Sequence, residues 1–195
     1  LYGDISELCG KDLGKALQLA KEVRGSNVLN RAFDTAYIGG DGQPLCSAVH
    51  PLYAGGTFSN VLATPADVSE EAFEDMLNLM SGWVDDRGKP IVVKPKQVII
   101  PRQLILQTQR VLNATKRVGT NLNGPNVIKD GNYIPGGFIQ SHYLQDPDTW
   151  FIQTEAELGL TYWSRKKVKK GMEQDFRTGN LMWKVTERFG FSFTD

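Results

Sequence analysis

Apolar residues recur at a three-four spacing near the start of the chain, which predicts a long amphipathic helix over 5–33. Asp4 is placed to cap this helix, and Glu7, three residues later, completes a capping box. Gly25 either ends the helix or only weakens it, since Leu29 and Phe33 resume a compatible pattern. One long helix at one end of the chain is the first distinctive prediction.

The pattern changes over 34–64, where glycine, proline and serine dominate and Asp41-Gly42 predicts a hairpin turn. A second amphipathic helix is expected over 69–83, with Ser69 as its cap. The β-branched segment 91–100 predicts a strand on either side of Pro95. Another helix is expected to start at Pro101, since proline is tolerated in a first helical turn.

The rest of the chain predicts strands separated by polar segments. Residues 115–137 are polar and rich in glycine, which favours a long exposed loop with a role in function or contacts. Short strands are expected over 138–143 and 149–154, and alternating strands over 160–165 and 181–193, with a charged excursion between the last two. Helices and strands without regular alternation indicate the α+β class.

The composition is that of an ordinary folded protein, and its overall charge favours no class of partner. The chain has 195 residues, with 22 basic and 22 acidic side chains and 41% hydrophobic residues. Because the formal charge is zero, nucleic acid or an anionic membrane could be attracted only by local clusters. The apolar runs all fall well short of the roughly 18 residues that a membrane span requires, so no membrane partner is expected. The sequence opens Leu-Tyr-Gly without a methionine, which predicts processing or a longer polypeptide.

Cys46 and His50, four residues apart, are the first candidates for a nucleophile and base. Their spacing would bring the side chains together on a helix, yet the surrounding glycines and prolines predict turns. Cys9 and Cys46 are too few for a disulfide framework and are expected to be reduced thiols. We therefore predict no catalytic residues, although a hydrolase using Cys46 and His50 stays open as an alternative.

Metal, cofactor and phosphate sites are likewise not expected. His142, Asp146 and Asp148 are close in sequence, but the two aspartates flank Pro147 in a predicted turn. The glycine pairs fit no phosphate-binding motif.

One local charge cluster stands out in the predicted excursion, made of Arg165, Lys166, Lys167, Lys169 and Lys170. Such a run suits phosphates or the acidic surface of a neighbouring subunit. The alternatives are that the run is a solvated hairpin tip, or that the chain is a module that binds nucleic acid.

Four segments in order resemble one protein family. They are AFDTAYIGGDGQPLCSAVHPLYAGGTFSNVL, SEEAFEDMLNLMSGWVDDRGKPIVVKPKQVIIP, YLQDPDTWFIQT and DFRTGNLMWKVTERFGFSF, which together span 32–193. The chain resembles the major capsid proteins of tailed bacteriophages, in the branch of Mu-like head subunits with the HK97-type fold.

The resemblance implies an HK97-like capsid fold with a long spine helix, long β-strands and a central axial-domain sheet flanked by helices. Residues 1–33 would be the spine helix of the peripheral domain, 34–143 the axial domain, and 144–195 the return strands. The family's N-terminal arm and extended loop precede the spine helix and are not included in this sequence. A loop carrying Arg117, Asn121, Asn123, Asn126 and Lys129 would face a fivefold or sixfold axis.

The resemblance also implies a function. The chain would be a structural subunit that assembles with copies of itself into hexamers and pentamers of an icosahedral shell around double-stranded DNA, in contact with portal and scaffold proteins. It would be assembled in the bacterial cytoplasm and end in the virion, with no enzymatic activity. A nanocompartment shell protein with the same fold is the nearest alternative.

Overall fold

The computed structural model describes residues 2–117, 124–156 and 159–194, with side chains from residue 8 onward. Its elements mix helices and strands, which confirms the α+β class. In chain order they are α1 (Tyr2–Asn30), β1 (His50–Pro51), β2 (Thr57–Phe58), α2 (Glu70–Ser81), β3 (Pro95–Pro101), a 3-10 turn (Arg102–Leu104), α3 (Ile105–Asn113), α4 (Val127–Asp130), β4 (Phe138–Ser141), β5 (Phe151–Thr154), β6 (Leu160–Gln174) and β7 (Leu181–Phe193).

Helix α1 is a single helix of 29 residues, and it passes through Gly25 without a break. A Cβ atom at Gly25 would lie 3.4 Å from the ring of Phe191 in β7, so this glycine lets the helix come close to the strand. The helix ends at Asn30, three residues earlier than predicted, and Ala32 and Asp34 then form backbone turns. The predicted capping pair of Asp4 and Glu7 lies outside the described side chains.

The glycine-rich segment after α1 forms hairpin turns, as predicted. Ile38 bridges Pro44 across the turn at Asp41-Gly42, and Gly42 has φ +80°, a conformation that glycine adopts without strain. Strands β1 and β2 then make a second, very short antiparallel pair.

A three-stranded sheet and three helices make the body of the protein. Strand β3 is central, parallel to β4 and antiparallel to β5. Helix α2 begins as predicted, because the Ser69 side chain accepts a hydrogen bond from the backbone nitrogen of Ala72 at 3.0 Å. The apolar core lies between sheet and helices, and its buried members are Val68, Phe73, Val98, Ile100, Leu104, Val111, Leu112, Ile128 and Ile134.

Several predicted boundaries in the body are wrong; Pro101, for example, is the last residue of β3 and does not start a helix. Residues 91–94 are not in a strand; β3 starts at Pro95, the position where a proline costs no ladder hydrogen bond. The segment 115–137 is also less open than expected, because α4 lies within it and Ile128 and Ile134 are buried in the core. The described part of this segment is therefore held by packing.

Strands β6 and β7 form a separate two-stranded ribbon of 15 and 13 residues. Strand β6 was predicted to end at Arg165, but it continues to Gln174 across the predicted excursion. Strand β6 is longer than predicted because it pairs with β7, whose apolar and polar residues alternate regularly. Met172 lies opposite Trp183 near the end of the ribbon that carries the turn. The connection is a short turn, in which Asp175 accepts hydrogen bonds from Arg177 and Thr178.

Candidate functional site: the helix-backed ribbon

Cys46 and His50 do not form a nucleophile and base pair in the structure. The imidazole Nδ1 of His50 lies 2.5 Å from Oδ2 of Asp41, and its buried Nε2 has no hydrogen-bond partner among the described residues. Although partial burial opposes it, the hydrogen bond with His50 lowers the pKa of Asp41 below its usual value. This pair ties the Asp41-Gly42 turn to β1, which agrees with the structural role predicted for the segment.

Burial raises the pKa of the Cys46 thiol to about 12. At neutral pH the thiol is therefore protonated, whereas nucleophilic attack requires a thiolate. We expect Cys46 to react with iodoacetamide far more slowly than Cys9, which is exposed on α1. Mass spectrometry of the two cysteine peptides over time checks this. A Cys46 that is alkylated faster than Cys9 at pH 7 would revive the hydrolase alternative.

The residues considered as metal ligands serve turns and local contacts. Asp146 accepts hydrogen bonds from the backbone nitrogen of Asp148 and the hydroxyl of Thr149, as expected for a turn-forming aspartate. His142 lies 3.3 Å from the side-chain amide of Gln140. Across the described ranges, no group of three potential ligands converges on a metal site.

The predicted axial contact loop is only partly exposed. Asn126 is fully buried, donating to the carbonyl of Val111 at 2.6 Å and accepting from the backbone nitrogen of Lys129. Its expected role in subunit contacts is wrong, because its polar atoms are used inside the chain. Arg117 pairs with carboxylates of α2, and Lys129 Nζ lies 3.4 Å from the hydroxyl of Thr115. Asn121 and Asn123 lie outside the described residues.

Helix α1 is attached to the ribbon by an ion pair and a row of aromatic rings. Lys21 Nζ lies 2.7 Å from Glu187 Oε1, and the Glu187 side chain is 3% exposed. The hydrogen bond with Glu187, against some desolvation, raises the pKa of Lys21. Tyr162, Phe189 and Phe191 contact one another beside this pair, with ring centroids 5.1 to 6.4 Å apart. The first half of the ribbon is thus fixed on the helix.

Beyond this attachment the ribbon is strongly basic. The five predicted cations, Arg165 to Lys170 without Val168, are all exposed on β6. Lys166 lies directly opposite Arg188 of β7, and Lys169 lies opposite Thr186, so these side chains share one face with Lys184. None of these cations forms an ion pair with any residue that the structure describes. Lys184 and Arg188 were missed in the sequence, although their alternation with Thr186 in a predicted strand could have revealed them.

Large apolar side chains are exposed along the same ribbon. Phe176 at the tip is fully exposed, and Met172 and Trp163 are 59% and 55% exposed. Others on the ribbon are more than two-fifths exposed, namely Leu160, Tyr162, Val168, Leu181 and Met182. Large apolar side chains concentrated on one exposed element favour a site of interaction with another macromolecule.

The accessible surface of the whole chain is large for its mass. The chain exposes 13556 Å² at 21.7 kDa, whereas a compact monomer of this mass would expose about 9,200 Å². The excess, about 4,300 Å², corresponds to several contacts of the standard size of about 800 Å² per partner. Two surface grooves lie along α1 and the ribbon, and neither is lined by Cys46 or His50.

The described helices include none that is both long and apolar enough to cross a bilayer. No protein-family model, no curated protein and no solved structure matches this chain. The helix-backed ribbon, defined as α1 with β6 and β7, is the candidate functional site because its strands combine exposed positive charge with exposed apolar side chains.

Proposed function

We propose that this chain is the major capsid subunit of a tailed phage or prophage, assembling into hexamers and pentamers of an icosahedral shell that encloses DNA. The observation that carries the proposal is the helix-backed ribbon: a helix of 29 residues laid along a ribbon of comparable length, leaving far more surface exposed than a compact monomer does. A subunit selected to meet its copies on several sides needs such surface.

The arrangement of the elements supports a division into a peripheral and an axial domain like that of the HK97-type fold. Helix α1 would be the spine helix, and the ribbon would complete the peripheral domain. The sheet β4-β3-β5 with its flanking helices would be the axial domain near capsomer centres. This corrects the expected division at residue 143, because β5 (Phe151–Thr154), placed among the return strands from the sequence, pairs with β3. Portal and scaffold proteins, the virion as final location, and assembly in the bacterial cytoplasm belong to the same proposal.

Assembly in this proposal uses many moderate contacts between different surfaces of identical chains. Heterologous contacts close into rings when the rotation between neighbours matches fivefold or sixfold symmetry. Each added contact is then made within an already tethered complex, so weak pairwise contacts sum to a stable shell.

Purified protein, expressed from its complete reading frame, is expected to form closed particles of uniform diameter in electron micrographs and to sediment far ahead of the monomer. Particles purified from a bacterial host are expected to contain DNA. Particles filled with a protein cargo and free of nucleic acid would favour the nanocompartment alternative. A protein that remains monomeric in sedimentation at the highest attainable concentration would refute the proposal.

A further inference from the structure

The charge of the chain is divided between the ribbon and the body. Residues 160–193 contain eight basic and three acidic side chains, a net charge of +5. Residues 31–159 contain ten basic and fourteen acidic side chains, a net charge of −4, while α1 is neutral over residues 2–30. A formal charge of zero for the whole chain therefore hides two regions of opposite sign.

Lys166 and Arg188 are placed where two positive charges repel each other within the chain. Residues directly opposite in an antiparallel pair have neighbouring side chains, and like charges there are destabilising. Lys169 and Lys184 lie on the same face and add to the repulsion. The ribbon would be more stable without this arrangement, which is the electrostatic signature of a surface built for an anionic partner.

The body carries a matching acidic surface at the start of α2. Five of the nine residues in 67–75 are acidic, and Arg117 pairs with Glu70 and Glu74 at 3.3 and 3.2 Å. The remaining three, Asp67, Glu71 and Asp75, are exposed and have no ion-pair partner among the residues that the structure describes. Glu71 and Asp75 are four residues apart and so share one face of the helix.

We propose that the basic face of the ribbon, formed by Lys166, Lys169, Lys184 and Arg188, docks on the acidic start of α2 in a second copy of this chain. The inference rests on the proposed function and names the surfaces that meet. The contact is head-to-tail, since a ribbon on one copy meets a body on the next, and each copy keeps one free surface of each kind. Such a contact continues from copy to copy, as ring formation requires.

A second copy fits the ribbon better than a nucleic acid does. Phosphates would pair with the cations but leave Trp163 and Met182, which share this face of the ribbon, exposed to water, whereas a protein surface covers both kinds of side chain. The negative body would also repel a polyanion that approaches the ribbon, and it attracts the ribbon of another copy.

The test exchanges the charges of the two surfaces. One variant carries Lys166→Glu, Lys169→Glu and Arg188→Glu, which keeps a like-charge pair across the ribbon and so changes the fold's own electrostatics little. The other carries Asp67→Lys, Glu71→Lys and Asp75→Lys. The control is Lys89→Glu, Lys94→Glu and Lys96→Glu, three exposed lysines outside both surfaces.

At low ionic strength each reversed variant alone is expected to associate at least about ten-fold more weakly than the unmodified chain, because like charges then face each other. An equimolar mixture of the two is expected to regain association, since each ribbon again meets an opposite charge. The control is expected to associate like the unmodified chain. Analytical ultracentrifugation measures all four samples, after circular dichroism has established that each is folded.

The outcomes separate the two proposals. Closed particles from the ribbon-reversed variant at unchanged concentration would overturn the docking inference and leave the capsid function standing. Open chains from the unmodified protein, disrupted by either reversal and restored in the mixture, would support docking and refute a closed shell. A ribbon-reversed variant that associates normally but no longer binds random-sequence duplex DNA would overturn the inference in favour of nucleic acid. A monomeric unmodified chain would refute both proposals.

Discussion

Replacing Phe73 with alanine is expected to lower the free energy of unfolding by about 3–5 kcal/mol. The Phe73 side chain is fully buried, and its ring meets that of Trp150 edge-on with centroids 5.0 Å apart. Removing the ring leaves a cavity between α2 and the sheet, because the side chains of this core belong to several different elements and relax only partly. A loss of this size is a large share of the total stability of a typical domain, about 5–15 kcal/mol.

Urea unfolding followed by tryptophan fluorescence measures this loss under conditions in which the protein is monomeric. Phe176→Ala is the matched control, because the same ring is removed from a fully exposed position at the tip of the ribbon. The control is expected to change the free energy of unfolding by less than about 0.5 kcal/mol. Equal losses for the two variants would contradict the placement of the core between α2 and the sheet.

Asn126→Ala is expected to cost about 2–4 kcal/mol, from two separate effects. The side-chain oxygen caps α4, and losing such a cap costs about 0.5–2 kcal/mol. The side-chain nitrogen donates to the carbonyl of Val111, and leaving that buried acceptor without a donor costs about 1–3 kcal/mol. Because the two effects act on neighbouring groups, they are not fully additive, and their sum is an upper limit on the loss of stability.

Two further variants resolve the roles of Asn126. Asn126→Asp retains an oxygen for the cap but has no amide donor, and it is expected to be less stable than the unmodified chain in urea unfolding. Asn78→Ala, on the exposed side of α2, is the control and is expected to be nearly neutral. If Asn126→Ala were as stable as the control, the buried hydrogen bond to Val111 would not be present in solution.

These variants separate folding from assembly. Phe73 and Asn126 lie in the body, while the exposed cations and apolar side chains lie on the ribbon. Changes in the body are therefore expected to lower stability, and changes on the ribbon to lower association with little effect on stability.

The lysines of β6 also affect how the free edges of the exposed ribbon can pair with other strands. A two-stranded ribbon has a free edge on each strand, and a free edge can pair with any other strand it meets. Lys166, Lys167, Lys169 and Lys170 disfavour such pairing between identical β6 edges, because the same charges would be brought together. The proposed docking on an acidic surface would remain favourable, so the cations would select this mode of association over indiscriminate aggregation.

Local features of the structure could be predicted wherever neighbouring residues decide the conformation. The long first helix, the turn at Asp41-Gly42 and the start of α2 at Ser69 were all predicted, since each depends on spacing, glycine freedom or a cap within a few residues. The turn role of Asp146 followed in the same way. The basic run was also visible, because it is contiguous.

Long-range packing decided the remaining features. Lysine-rich residues of β6 have little strand preference of their own, and pairing with β7 extends the strand through them. Asn126 is buried because Val111, fifteen residues away, offers its carbonyl, and a polar residue in a glycine-rich segment gives no local sign of this.

The amino-acid sequence by itself determined the order and type of most elements, the turns between them and the presence of a basic run. Only the tertiary structure decided that Lys184 and Arg188 join that run on one face, and that the acidic start of α2 is left partly unpaired. The physical reason is that cross-strand register and ion pairing depend on distances between residues far apart in the chain, which no local pattern encodes.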